Sequence, residues 1–159
     1  MNEAELAALY RPRIRELAAR VRSDRRLKDP EVTVSRRSQV CGSMITLDLM
    51  HEQGRITALG WRSRACTLGM ASLGLVTEVA VGQCRAEVAA AGAALWDLLQ
   101  GQEQIFAAPW EELSVFPPPA DFRRALARSC CPSQRSMRVS GKWDELVGAT
   151  TRLLRTVAP

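Results

Sequence analysis

Histidine occurs once in these 159 residues, tyrosine once, and aromatic residues together make up only 5% of the chain. The one imidazole, His51, falls by pattern in a hairpin turn, so a multi-histidine metal centre and a histidine-based triad are both excluded. So few aromatics leave no platform for stacking bases between basic side chains, and no nucleic acid partner is expected. No apolar run approaches the roughly 20 residues of a membrane span. The opening Met1-Asn2-Glu3-Ala4-Glu5 is acidic and amphipathic, unlike the basic start and apolar block of a secretory leader. A soluble, cytoplasmic protein with no membrane partner is the expectation. The sequence shows neither an internal repeat nor a low-complexity stretch.

Cysteine is present in an odd count of five. Without secretory context that argues against a disulfide framework and for reduced thiols, some of them available to metal or sulfur. At 47% hydrophobic the chain is long enough for one core, and a single domain spanning 1–159 is expected. The net charge of +5 comes from 22 basic residues against 17 acidic ones, with the arginines spread over helix faces and loops. Such a surface suits an acidic protein partner.

Hydrophobic period places the elements. Leu6, Tyr10, Ile14, Leu17 and Val21 recur at helical spacing, with Pro12 marking an early turn or restart. Asp29-Pro30 breaks the chain, and Val32 with Val34 begins a strand. Ile45, Leu47 and Leu49 alternate with Met44, Thr46 and Asp48. After the turn His51-Glu52-Gln53-Gly54 a partner strand runs from Arg55 to about Arg62. From Thr67 to Val81 the sequence is apolar on nearly every side, a buried helix ended by Gly82 that packs across the sheet. A further helix spans Arg85 to Leu99 and stops at Gly101. Ala107 to Pro119, with Trp110 and three consecutive prolines, reads as a loop or short helical turn. Ser140 caps a last helix striped by Trp143, Leu146, Val147, Leu153 and Leu154. The order predicts an α+β fold, a three-stranded antiparallel sheet packed by several helices.

Two segments carry the chemistry. Val40-Cys41-Gly42-Ser43 precedes the alternating run, and Arg64-Ala65-Cys66-Thr67 opens the apolar helix. The hairpin between them brings Cys41 and Cys66 to one side of the sheet. A thiol in the first turn of a helix lies near backbone N–H groups and the positive dipole end, which favours thiolate. Gly42 lets the backbone turn beside Cys41, and Arg62 or Arg64 on the same face would help hold the thiolates ionised. Zinc and iron–sulfur clusters both take about four ligands, so a third must come from elsewhere. Cys130 and Cys131 are the candidates, one pointing in and the other away. Cys84, at a helix start with no partner in reach, reads as a small buried hydrophobe.

These residues resemble the iron–sulfur cluster assembly scaffolds of the NifU N-terminal, IscU and SufU type. The matching features are the Leu9-Tyr10 and Ile14 helix, Val40-Cys41-Gly42, the hairpin ending in Gly54-Arg55-Ile56, Ala65-Cys66 followed by Ala71-Ser72, and Val81-Gly82. The resemblance implies a SufE/NifU-like fold and a surface site of three cysteines and an aspartate. It implies a scaffold rather than an enzyme, which takes sulfur from a cysteine desulfurase and combines it with ferrous iron. A transient 2Fe-2S cluster is built and handed to apo iron–sulfur proteins. Related members bind zinc at the same site. By position Cys41 and Cys66 are the first two ligands. For the third, Cys131, with Arg128 three residues before it, stands beside Cys130 as the alternative, and because the family uses its loop cysteine as the mobile sulfur acceptor, that role is expected of one of these two.

Two departures stand out. The family's aspartate, two residues after the first cysteine, is Ser43 here, and a neutral hydroxyl is a poorer ligand for iron or zinc than a carboxylate. The segment 117–141 is atypical, and from Arg124 to Gly141 its run of Arg, Ser and Cys is unlike the family. Two further readings therefore accompany the scaffold: a zinc-dependent sulfur acceptor for a desulfurase, and a degenerate paralogue that acts only as a binding partner.

Overall fold

The helices and strands follow the periodicities of the chain in order: α1 Pro12–Arg20, β1 Val32–Arg37, β2 Met44–Glu52, β3 Arg55–Arg64, α2 Thr67–Val79, α3 Arg85–Leu99 and a 3-10 turn, Glu111–Val115. The computed structural model describes residues 12–37, 42–99 and 102–116. Leu6, Tyr10, Gly101, the segment 117–141 and the helix expected after Ser140 lie outside them. The sheet is antiparallel with strand order β1-β2-β3, so the α+β architecture is the one expected.

One face of the sheet makes the core. Leu47 lies opposite Trp61 and Leu49 opposite Leu59, and the helices cover this face with Ile14, Leu17, Leu68, Leu73 and Leu75. Pro12 stands at the first position of α1, where a missing N–H costs the helix nothing. Its stripe of Ile14, Leu17 and Ala18, continued by Val21, is buried. At Gly74 a Cβ would overlap the Leu17 carbonyl, so α1 and α2 approach backbone to backbone there. Helix α2 ends at Val79 rather than Val81: Ala80 closes it with an N–H donated to the Val76 carbonyl at 2.9 Å. Gly82, at φ +87, then turns the chain.

Three details of the hairpin differ from expectation. The reversal is confined to Gln53-Gly54, whose φ values of 50 and 76 are those of a type I′ turn. Strand β2 consequently runs through Glu52, and His51 stands in the strand at a register shift, its N–H donated to Glu31 Oε2 at 2.7 Å. Strand β3 continues to Arg64.

Alternation alone puts Thr46 and Asp48 on a solvated face, yet they are only 6% and 0% exposed. Thr46 is hydrogen-bonded to Ser35 across the strands, hydroxyl to hydroxyl at 2.7 Å; for Asp48 the cause is the segment after α1. Arg25 pairs with Trp61 along the outer edge of β3, by N–H···O bonds of 2.8 and 2.6 Å. The chain then crosses Gly60, where a Cβ would lie 2.6 Å from the Leu27 nitrogen. Beneath it the Asp48 carboxylate accepts from Arg26 Nη2 at 2.8 Å, Thr33 Oγ1 at 2.7 Å and the Leu27 N–H at 3.1 Å. Burial pushes the Asp48 carboxyl up; the bonds from Arg26, Thr33 and Leu27 outweigh that and hold it below the usual carboxylate range. The same crossing covers the free edge of β3, which would otherwise offer unpaired backbone groups.

Candidate functional site

Pairing of β2 with β3 ends at Met44 opposite Arg64. Beyond it the chains leave the sheet side by side, Gly42 and Ser43 on one, Ala65 and Cys66 on the other. Gly42 has φ +71, a conformation other residues adopt only under strain. Ser43 is 8% exposed, and its Oγ accepts the Cys66 N–H at 3.3 Å. The two thiol-bearing segments are thus tied by a hydrogen bond from one backbone to the other's side chain.

Cys66 is the N-cap residue of α2, with extended φ −68 and ψ 165. Its carbonyl already accepts the first helical bond, from the Met70 N–H at 2.9 Å. Its thiol makes no capping hydrogen bond, and the residue is exposed. The structure therefore sets a thiol at the positive end of the central helix, open to solvent. A soft nucleophile so placed can attack a sulfur electrophile or ligate a thiophilic metal. Its neighbour Ser43 is turned to the Cys66 backbone.

Of the other predicted site residues, Cys41 is joined to Gly42 but lies outside the described residues, as do Cys130 and Cys131. Among the described residues no three His, Cys, Asp or Glu side chains gather to hold a metal ion. Arg62 and Arg64, one of which was expected to support the thiolates, both pair with Asp24: Arg64 Nη1 lies 3.0 Å from Oδ1 and Arg62 Nε 3.5 Å from Oδ2. Asp24 also accepts the Ser63 N–H at 3.3 Å. The Arg64 hydrogen bond outweighs a smaller burial effect and holds the Asp24 carboxyl below its ordinary range. Cys84, read from sequence as a buried hydrophobe without a partner, is half-buried and bound to Glu87, its N–H lying 2.6 Å from Oε2. Asp24 and Asp48 were the residues that pattern reading missed. Their signal was an aspartate in an otherwise strand-forming run and another in a basic loop, neither of which specifies a partner.

The same α+β fold is found among solved proteins. The N-terminal part of a nitrogen-fixing NifU-like protein from Brucella abortus superposes with a TM-score of 0.73 at 21% identity, covering 97% of this chain and 99% of that one. A hypothetical protein solved at 2.3 Å resolution gives 0.60 at 18% identity, over 98% and 97% of the two chains. A candidate iron–sulfur cluster assembly scaffold for the SUF system from Fervidobacterium islandicum gives 0.58 at 15%, over 71% and 92%. The chain therefore has the NifU-like fold anticipated from its cysteine segments. No family model matches the chain, and no curated protein matches it in sequence. Among the described residues no helix is long and apolar enough to cross a membrane.

Proposed function

We propose that this protein is an assembly scaffold that receives sulfur and iron on surface cysteines, builds a 2Fe-2S cluster and passes it to apo iron–sulfur proteins. The observation that carries this reading is the exposed Cys66 thiol at the N-terminus of α2, tied through its backbone to the Cys41-Gly42-Ser43 segment on a NifU-like fold. The sulfur step needs only an accessible thiolate. It attacks the outer sulfur of a persulfide on a cysteine desulfurase, the donor's S–S bond breaks, and the electron pair leaves with the donor thiolate. The persulfide then resides on the acceptor. Cys41, Cys66 and Cys131 are the proposed ligands of the cluster, with Cys130 as the alternative third thiol and the mobile acceptor drawn from that pair. Ser43, already engaged with the Cys66 N–H, is proposed not to be a ligand. The cluster and its iron are cargo, the protein has no turnover of its own, and its place of work is the cytoplasm.

The second reading is a zinc-dependent sulfur acceptor, and the hydroxyl in place of a carboxylate weakens it more than the scaffold, because a closed zinc site needs four defined ligands. The deciding experiment is iron, zinc and acid-labile sulfide analysis, with an absorption spectrum, on protein purified without oxygen and on Cys41→Ser and Cys66→Ser variants. Stoichiometric iron and sulfide that vanish in both variants is the result expected. Zinc alone would replace the scaffold by the sulfur acceptor. Absence of metal after reconstitution, together with no persulfide after incubation with a desulfurase and cysteine, would leave the binding-partner paralogue.

A further inference from the structure

The end of the sheet that carries Cys66 also carries an exposed basic row. Register places Arg37 opposite Met44 and Met44 opposite Arg64, with Ser35, Thr46 and Arg62 in the next row. All six share the face turned away from the core, because strand residues alternate and Leu47, Leu49 and Trp61 hold the other. Arg37, Arg62 and Arg64 are exposed, and Met44 between them is 38% exposed, one of few large apolar residues among the described ones to be so. Directly opposed side chains across a pair lie within about 5.5 Å at Cβ, so Met44 is flanked on both sides by a guanidinium stem.

The charge on this row is not balanced. Arg62 and Arg64 share the one Asp24 carboxylate, and Arg37 has no ion pair among the described residues. On α1 two of the three arginines are matched, Arg13 by Glu16, Glu78 and Glu112 and Arg20 by Glu16 and Glu78, while Arg15 is exposed with no ion pair among the described residues and no large apolar neighbour exposed beside it. Methionine is a flexible, polarisable contact residue suited to a partner's apolar side chain. Desolvated arginine is the cation most enriched at protein interfaces.

We propose that this Arg37–Met44–Arg64 face, with Arg62, docks the sulfur-donating partner through an acidic segment that carries an apolar side chain. Carboxylates of that segment meet the excess guanidinium charge, and its apolar residue covers Met44. Three observations select this occupant: the unmatched positive charge, the apolar contact at its centre, and continuity with the exposed thiol that the donor must reach. The inference rests on the sulfur-accepting reading of Cys66.

The test is titration of the protein with the cysteine desulfurase of the same organism, at low and at high salt. Arg37→Glu and Met44→Asp are each expected to weaken the complex roughly tenfold and to reduce its salt dependence. Arg15→Glu makes the same charge change on the exposed side of α1 and should weaken it less than about twofold. Met44→Ala, which adds no charge, guards against a folding defect and should still cost about fivefold. Equal weakening by Arg15→Glu, or no change with Arg37→Glu and Met44→Ala, overturns the proposal. So does a variant set that keeps desulfurase affinity but loses delivery to an apo iron–sulfur protein, since the occupant is then the recipient. A wild-type complex that survives every substitution removes this inference alone. Failure of the wild type to bind or to accept sulfur removes the functional reading along with it.

Discussion

Cys66 and Cys84 occupy equivalent places at opposite ends of β3, yet their thiols differ in availability. Cys66 stands two residues past the end of the strand and caps α2; Cys84 pairs with Arg55, the first residue of the strand, and stands immediately before α3. At the Cys84 end everything closes inward. The Cys84 N–H and thiol both engage Glu87, and Arg55 Nη1 binds the Gly82 carbonyl at 2.7 Å and approaches Glu87 at 3.5 Å. The backbone bond from Cys84, then its side-chain bond, hold the Glu87 carboxyl below its ordinary range. At the Cys66 end only the backbone is engaged. The difference lies three residues on: Glu87 can reach back as in a capping box, whereas Gly69 has no side chain with which to do so. The amide that Gly69 cannot satisfy is taken by Ser43 from the neighbouring segment, and the thiol stays open. A helix-start cysteine is therefore a structural cap or a chemical group according to its third neighbour.

The largest effect expected is on the platform both thiols rest on. Asp48→Ala removes the acceptor shared by Arg26, Thr33 and the Leu27 N–H, and should cost about 3 kcal/mol in chemical denaturation. The linked pH dependence has a definite sign. A folded-state pKa below the unfolded value gives stability that is present above pH about 4 and is lost as pH falls through the folded value. A wild-type acid transition unchanged in Asp48→Asn would contradict that role.

Next comes the contrast itself. Cys66 should be alkylated at least about tenfold faster than Cys84 in the native protein, measured by mass spectrometry of modified peptides over time. Glu87→Gln sharpens the point with a smaller change. It should speed modification of Cys84 by roughly threefold while leaving Cys66 as it was. If both cysteines respond alike, the two ends are coupled and the local explanation fails.

How legible all this was in the sequence depends on the range of the interaction. The hairpin, the buried α2 and the placement of Cys66 at a helix start came from periodicity and glycine signals acting over a few residues. The Cys84–Glu87 pair is equally local and could have been read from its spacing. Asp48 could not, because its burial depends on a segment from before β1 crossing Gly60, a contact between residues remote in sequence. The pairing of Arg62 and Arg64 with Asp24 was hidden for the same reason: Asp24 reaches them from beyond α1. Alternation gives the face of a strand; it does not say what later lies across that face.

The smallest effect tests the tie at the open end. Ser43→Ala deprives the Cys66 N–H of its acceptor and should cost about 1 kcal/mol, the net value of one hydrogen bond between partly buried groups. The change should show as faster amide hydrogen exchange at Cys66, with its alkylation rate altered less than about twofold, because the thiol takes no part in the bond. Ser43→Asp retains an acceptor within reach of the same N–H, so exchange should remain slow. Unchanged exchange in Ser43→Ala would mean that the two cysteine-bearing segments are held together by the sheet alone. A large change in thiol reactivity would mean instead that Ser43 acts on the sulfur itself, which its hydrogen bond to the Cys66 backbone argues against.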